Sequence, residues 1–247
     1  MSWWRNFKLK TRSGYKKIML PFGRFIGKMG ISPNAISMIS AVFAIASATM
    51  YAFQGRVGTF QYWWAIGFPL MFIAGMLDVV DGSVARAMGK TTKFGQVLDP
   101  VMDRFVEFCY LMGIAIGNYT FEPLESLWAP IATISVAAWC LFSFAGMIFA
   151  SYSRARGESV AHMSVESVGI MERREKIAIL VLGNILYIWW PVALPFGIIL
   201  VGLLSFITTI QRMFYIRKLM IEIGNEDSDT QNASEEHKEE NVKIEIE

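Results

Sequence analysis

Cysteine and histidine are nearly missing, with two of each in 247 residues. Cys109 and Cys140 fall inside apolar runs, while His162 and His237 lie far from both and from each other. That excludes a disulfide framework and any cluster of thiolate and imidazole ligands for zinc. Charge is also scarce: 18 % of residues are charged against 54 % hydrophobic, outside the range of ordinary soluble domains. Acidic side chains are absent from residues 1–30, where Arg5, Lys8, Lys10, Arg12, Lys16, Lys17, Arg24 and Lys28 are interleaved with Trp3, Trp4, Phe7, Tyr15, Phe22 and Phe25. So basic a segment, so long before its first apolar run, is expected to be retained and not cleaved as a signal peptide. It reads as a helix lying in the bilayer interface and drawn to anionic lipid. A basic aromatic stretch would also suit nucleic acid, but an apolar span begins within a few residues of its end. The expected partner is therefore the bilayer, with no nucleic acid.

What the chain has in quantity is apolar runs long enough to cross a hydrocarbon layer of about 30 Å. Six spans are expected, near 33–54, 60–86, 96–117, 126–153, 174–190 and 192–216, with a Trp-Pro turn at Trp189-Trp190-Pro191 making the last two an interfacial hairpin. Lys and Arg concentrate before the first span, after the second, between the fourth and fifth, and after the sixth. The positive-inside bias then puts both termini in the cytoplasm of a plasma-membrane protein. The expected fold class is an all-α integral membrane protein: an amphipathic juxtamembrane helix over 1–30 and six transmembrane helices within a domain over 31–222. A segment rich in Glu, Asp, Ser and Asn over 223–247 lacks the apolar residues to bury and is expected to form a disordered acidic cytoplasmic tail.

Against that background, Asp78, Asp81, Asp99 and Asp103 stand out, because carboxylates at membrane depth are costly and mark function by default. Each pair is three or four residues apart, hence neighbouring on one helix face. A short polar connection at Met88–Phe94 turns the second span back beside the third, so all four can converge in one cytoplasmic cavity. Unneutralised, they would repel and resist ionisation. Hard oxygen donors in this number suit Mg²⁺ or Mn²⁺, two ions being a natural complement, with substrate phosphate oxygens completing the shells. Such a clamp fits an in-line displacement on a pyrophosphate. Gly82 and Gly95 lie one turn from Asp78 and Asp99, and with Ala85 they leave the same faces without bulk. Arg86 can supply charge to a phosphate.

The complete string, Asp78-x2-Asp81-Gly82-x2-Ala85-Arg86-x8-Gly95-x3-Asp99-x3-Asp103, resembles the signature of the CDP-alcohol phosphotransferases at every fixed position, and Ser32-Pro33-Asn34 is similar to that family's entry to the first span. The resemblance covers roughly residues 15–218. It implies transfer of a phosphatidyl-type group from a CDP-linked lipid to an alcohol with release of CMP, and a homodimer. It further implies that Asp78, Asp81 and Asp99 hold the metals, with Asp103 beside them and acting as general base. Asp78, Asp81, Gly82, Ala85, Arg86 and Gly95 would receive the cytidine diphosphate. Residue chemistry alone leaves open which aspartate is the base.

Arg154, Arg173 and Arg212 bring guanidinium groups to the cytoplasmic side from three separate segments. As planar forks they suit an acceptor that carries its own phosphate, and as positive-inside anchors they would equally need no ligand. The order Ser151-Tyr-Ser-Arg154-Ala-Arg156, Glu172-Arg173 and Gln211-Arg212 resembles the phosphatidylinositol-phosphate and archaetidylinositol-phosphate synthases. In that branch these positions surround the phosphate of inositol phosphate. Glycerol phosphate, as in the phosphatidylglycerophosphate synthases, is the nearest alternative acceptor. Two remoter readings are an intramembrane prenyltransferase, whose aspartate pairs also hold Mg²⁺ and a diphosphate, and a cation transporter. The third span offers no second charged site beyond Glu107 for the latter.

Overall fold

A computed structural model of the chain describes residues 32–56, 62–87, 92–121, 131, 133–161 and 168–246, without the side chains at 78, 79, 81–83, 85–87, 96, 161 and 223–246. The interfacial helix expected over 1–30 lies outside these residues. Among them every regular element is a helix: α1 (Pro33–Phe53), α2 (Trp63–Ala87), α3 (Lys93–Ile116), α4 (Val136–Ala161), α5 (Arg173–Leu186) and α6 (Ala193–Ile246).

α1 begins where the Ser32 hydroxyl accepts from the Ala35 N–H at 3.2 Å, with Pro33 in the first turn. Its buried face carries Ser37, Ser40, Ala41, Ala44 and Ser47, small residues that let two neighbours approach closely. Ser40 donates to the Ala74 carbonyl at 2.9 Å and Ser47 to the Gly67 carbonyl at 2.8 Å, tying α1 to α2. On its other flank α1 meets α3 so closely that a Cβ on Gly113 would lie 2.5 Å from the Ala48 carbonyl oxygen. α3 also packs on α4, α4 on α6, and α5 on α6. The α4–α6 crossing needs Gly202, whose added Cβ would meet the Phe142 ring at 2.9 Å.

Among the described residues, three helical segments are long and apolar enough to cross a membrane: Pro33–Phe53, Val136–Val160 and Ala193–Glu222. α2 contributes the shorter apolar run Trp63–Leu77. α3 carries Asp99, Asp103, Arg104 and Glu107 in mid-length, which removes it from that set by composition. α5, expected over 174–190, has only 14 residues, about 21 Å of helix. It gives way to the turn at Trp189 and Trp190, whose rings are 71 % and 65 % exposed, as interfacial anchors are.

The backbone of α6 is helical through Ile246. Glu, Gln and Lys carry high intrinsic helix propensity, and a helix already formed in the last span propagates without a new nucleation step.

Candidate active site

The aspartate string occupies the end of α2 and the first half of α3. Val80 and Val84 are 1 % and 0 % exposed, packed with Ile36 and Leu77. Helical register therefore turns positions 78, 82 and 85 away from that packed face, with position 81 at its edge. α3 starts at Thr92, whose hydroxyl accepts from the Gly95 N–H at 2.9 Å. A Cβ at position 95 would lie 3.0 Å from that hydroxyl and 3.9 Å from the Asn34 amide oxygen. Gly95 thus sits where the Ser32-Pro33-Asn34 entry meets the start of α3, and a side chain there would press on the cap.

One turn further, Asp99 is exposed and Asp103 is not: the Asp103 carboxylate is 13 % exposed. Arg173, the first residue of α5, meets Asp103 Oδ1 at 2.6 Å, and Arg104 meets Oδ2 at 3.0 Å. Arg104 is itself fixed by two further bonds, to the Pro100 carbonyl at 2.9 Å and to Ser151 Oγ on α4 at 2.7 Å. Sequence reasoning gives Arg104 no role. Its only signal is adjacency to Asp103, and the bond to Ser151 joins residues 47 apart.

The α5 entry is held by α6. Gly169, at φ +105°, takes a backbone conformation that residues with a Cβ rarely adopt. The next two N–H groups donate to α6, Ile170 to Gln211 Oε1 and Met171 to Thr208 Oγ1, each at 3.0 Å. Glu175 closes the helix start by accepting from the Glu172 N–H at 3.0 Å. This frame points Arg173 at Asp103.

The three arginines singled out from sequence stand in one charged neighbourhood but in different states. Arg173 is on Asp103. Arg154 pairs with Glu158 at 3.1 Å. Arg212 is 5 % exposed, donating through Nε to the Val168 carbonyl at 2.9 Å and through Nη1 to the Ala150 carbonyl. It therefore staples α4 and the 168–171 strap to α6, a structural duty that sequence reasoning did not assign to it. Beneath them Lys176 is 5 % exposed, within electrostatic reach of Glu107, Arg104, Arg173 and Arg212. Arg154 and Arg174 are paired with Glu158 and Glu172, and guanidinium groups predominate around Lys176, an environment that suits a phosphate.

As for a metal, no three His, Cys, Asp or Glu side chains come together among the described residues; two of the expected four ligands, Asp78 and Asp81, have side chains outside that description. The donors present, Asp99 and Asp103, are hard carboxylates, and both cysteines are buried. This donor set fits Mg²⁺ or Mn²⁺ and not a soft-metal centre.

Residues 30–211 match the CDP-alcohol phosphatidyltransferase family. The archaetidylinositol phosphate synthase of Methanothermobacter thermautotrophicus is 34 % identical over 191 residues, covering 76 % of this chain and 85 % of its own length. The archaetidylinositol phosphate synthase of Pyrococcus horikoshii is 28 % identical over 215 residues, 87 % of this chain and 98 % of its own. In fold, the chain is similar to the crystal structure of Mycobacterium tuberculosis phosphatidylinositol phosphate synthase with CDP-DAG bound, at a TM-score of 0.62 and 23 % identity, covering 81 % of this chain and 94 % of that one. The manganese and citrate complex of the same synthase aligns with a TM-score of 0.62 at 22 % identity, over 80 % and 88 % of the two chains.

Proposed function

This membrane protein belongs to the CDP-alcohol phosphatidyltransferase family and is a CDP-alcohol phosphotransferase, and we propose that it transfers a phosphatidyl or archaetidyl group from a CDP-linked lipid to inositol phosphate, releasing CMP. The observation that carries the acceptor is the ion pair between Asp103 and Arg173 at 2.6 Å. It joins the end of the aspartate string to the basic group of Arg104, Arg173, Lys176 and Arg212.

In this reading Asp78, Asp81, Asp99 and Asp103 would hold Mg²⁺ or Mn²⁺, which would supply Lewis-acid stabilisation of charge on the pyrophosphate. Asp103 accepts the proton of the attacking hydroxyl, being within reach of whatever Arg173 holds. The hydroxyl oxygen bonds to the lipid-side phosphorus, the bond to the bridging oxygen breaks, and CMP departs. Arg173 exchanges its carboxylate partner for the acceptor phosphate, with Arg154 and Arg212 adding positive charge to the same side. Arg104, anchored at Pro100 and Ser151, keeps Asp103 in place while that exchange happens. Gly82, Ala85, Arg86 and Gly95 receive the cytidine diphosphate.

α2, α3 and α5 complete a six-span domain with its cavity and both termini on the cytoplasmic side of the plasma membrane, and the enzyme works as a homodimer. The deciding experiment is CMP release from CDP-diacylglycerol and CDP-archaeol with Mg²⁺, comparing inositol phosphate, glycerol phosphate, free inositol and serine. Turnover confined to inositol phosphate supports the reading. Turnover with glycerol phosphate instead would keep the aspartate chemistry and overturn the acceptor.

A further inference from the structure

Thr208, Gln211 and Arg212 stand at i, i+3 and i+4 on α6, so they share one helix face. Each binds a different backbone group of the 168–171 strap. The Met171 N–H donates to Thr208 Oγ1 and the Ile170 N–H to Gln211 Oε1, both at 3.0 Å, and Arg212 Nε donates to the Val168 carbonyl at 2.9 Å. Thr208 is fully buried, and the Met171 side chain is packed in the core. Gly169 lies so close to Thr208 that an added Cβ would be 2.4 Å from Cγ2. The strap therefore has little slack. It ends at Glu172, whose reciprocal capping with Glu175 starts α5 at Arg173, two residues beyond the bond to Thr208. The Arg173 backbone is thus set from α6, and its guanidinium reaches Asp103 at 2.6 Å.

We propose that Thr208 and Gln211 are positioning residues for the acceptor: through the strap they hold Arg173 where the acceptor phosphate binds. This rests on the acceptor reading given above and adds two residues to it, neither of which touches substrate in this role. Placement of a binding group counts as much as its presence, since a misplacement of about 1 Å can cost on the order of a hundredfold in rate. The two bonds differ in what they contribute to stability. Ile170 is 45 % exposed, so its N–H turns to water once the Gln211 oxygen is gone. The Met171 N–H is buried with Thr208, and losing that oxygen strands it. α6 packs on α4 and α5, whereas the first half of the aspartate string lies on α2. Loosening the strap accordingly reaches the acceptor and spares the CDP-lipid side.

The test compares wild type with Gln211→Met, Thr208→Val and Thr208→Ser, measuring kcat, the KM for inositol phosphate and for CDP-lipid, and the unfolding temperature in detergent. Gln211→Met and Thr208→Val keep the size of the side chain and lose its accepting oxygen; Thr208→Ser keeps the oxygen. The first two are expected to raise the inositol phosphate KM about two- to tenfold, the size of one neutral hydrogen bond, with the CDP-lipid KM unchanged. Thr208→Ser is expected to stay at the wild-type KM. Gln211→Met is expected to act without lowering the unfolding temperature, which a merely structural role does not produce, and it carries the test by itself if Thr208→Val does not fold. Wild-type acceptor KM in Gln211→Met, or an equal rise in both KM values, overturns the inference while the acceptor reading stands. A Thr208→Ser KM as high as that of Thr208→Val assigns the effect to the lost methyl group and overturns the role of the Thr208 hydroxyl. If wild type turns over glycerol phosphate and not inositol phosphate, the acceptor reading fails, and the same variants measured with glycerol phosphate decide this inference separately.

Discussion

Two buried polar clusters lie along the same pair of helices, α3 and α5, and they are built on opposite rules. In the first, Asn184 accepts from Tyr51 at 2.5 Å and donates to the Tyr110 hydroxyl at 2.7 Å and the Leu180 carbonyl at 2.8 Å. The Tyr51 and Tyr110 rings meet edge to face at 5.2 Å. The Asn184 side chain is fully engaged, no group is charged, and α1, α3 and α5 are locked at one point. About two turns away, the second cluster is charged, gathering Arg104, Arg173, Lys176 and Arg212 beside Asp103 and Glu107. A closed neutral network fixes geometry; an open charged one is held in place by that geometry and waits for a ligand. The molecule keeps its stability in one and its chemistry in the other.

The sharpest way to break this division is to neutralise Asp103. Asp103→Asn keeps the shape and the contact with Arg104 but removes the base, so CMP release should fall by about a thousandfold or more, in the upper range for loss of general base catalysis. Its melting temperature should change little, and CDP-lipid binding should survive. If Asp103→Asn turned over normally, the base would have to be assigned elsewhere on the string. Asn184→Leu should do the reverse. It strands the hydroxyls of Tyr51 and Tyr110 in an apolar core, at a cost of about 2–4 kcal/mol, visible as a lowered unfolding temperature in detergent. Turnover per folded molecule should be close to wild type; a large drop in kcat with stability intact would mean that the two clusters are coupled.

A smaller effect is expected at Gly169, where φ is +105° and an added Cβ would lie 2.4 Å from Thr208 Cγ2. Gly169→Ala strains the strap and loosens the Met171 bond to Thr208, so Arg173 is displaced and not lost. Strain of this kind costs about 1–3 kcal/mol. The acceptor KM should rise more than the CDP-lipid KM. Equal changes in both would show that the strap supports the whole cavity and not the acceptor side alone.

The division also explains what was legible in the sequence. The aspartate string is local: two helix ends joined by a short connection, so spacing alone reports which residues share a face. The extent of α1 was legible from its apolar run, expected over 33–54 and helical over Pro33–Phe53. The basic side is assembled from α3, α4, the 168–171 strap, α5 and α6, and no spacing reports that Arg104 reaches Ser151 or that Arg173 closes on Asp103. Arg212 was visible as a cation but not as a staple, because its partners are the carbonyls of Ala150 and Val168 and a carbonyl has no sequence signature. Lys176 read as one more cytoplasmic charge until packing buried it.

The finest test makes the same chemical change on each side. Ser47 and Ser151 each donate or accept one hydrogen bond between helices: Ser47 to the Gly67 carbonyl at 2.8 Å, Ser151 from Arg104 at 2.7 Å. Ser47→Ala removes a neutral bond at a close α1–α2 crossing. Interhelical bonds of this type average about 0.6 kcal/mol, so the variant should unfold slightly earlier and turn over as wild type does. Ser151→Ala leaves Arg104 held by the Pro100 carbonyl and Asp103 only, so stability should barely move, while Asp103 gains freedom to leave the attacking hydroxyl. A loss of about 1 kcal/mol in orientation is roughly fivefold in kcat. It should appear in kcat and not in either KM, because Ser151 touches neither substrate in the proposed geometry. If Ser151→Ala instead raised the KM for inositol phosphate, the serine would be part of the acceptor pocket, and the line between anchoring and binding would have to be redrawn one residue closer to the substrate.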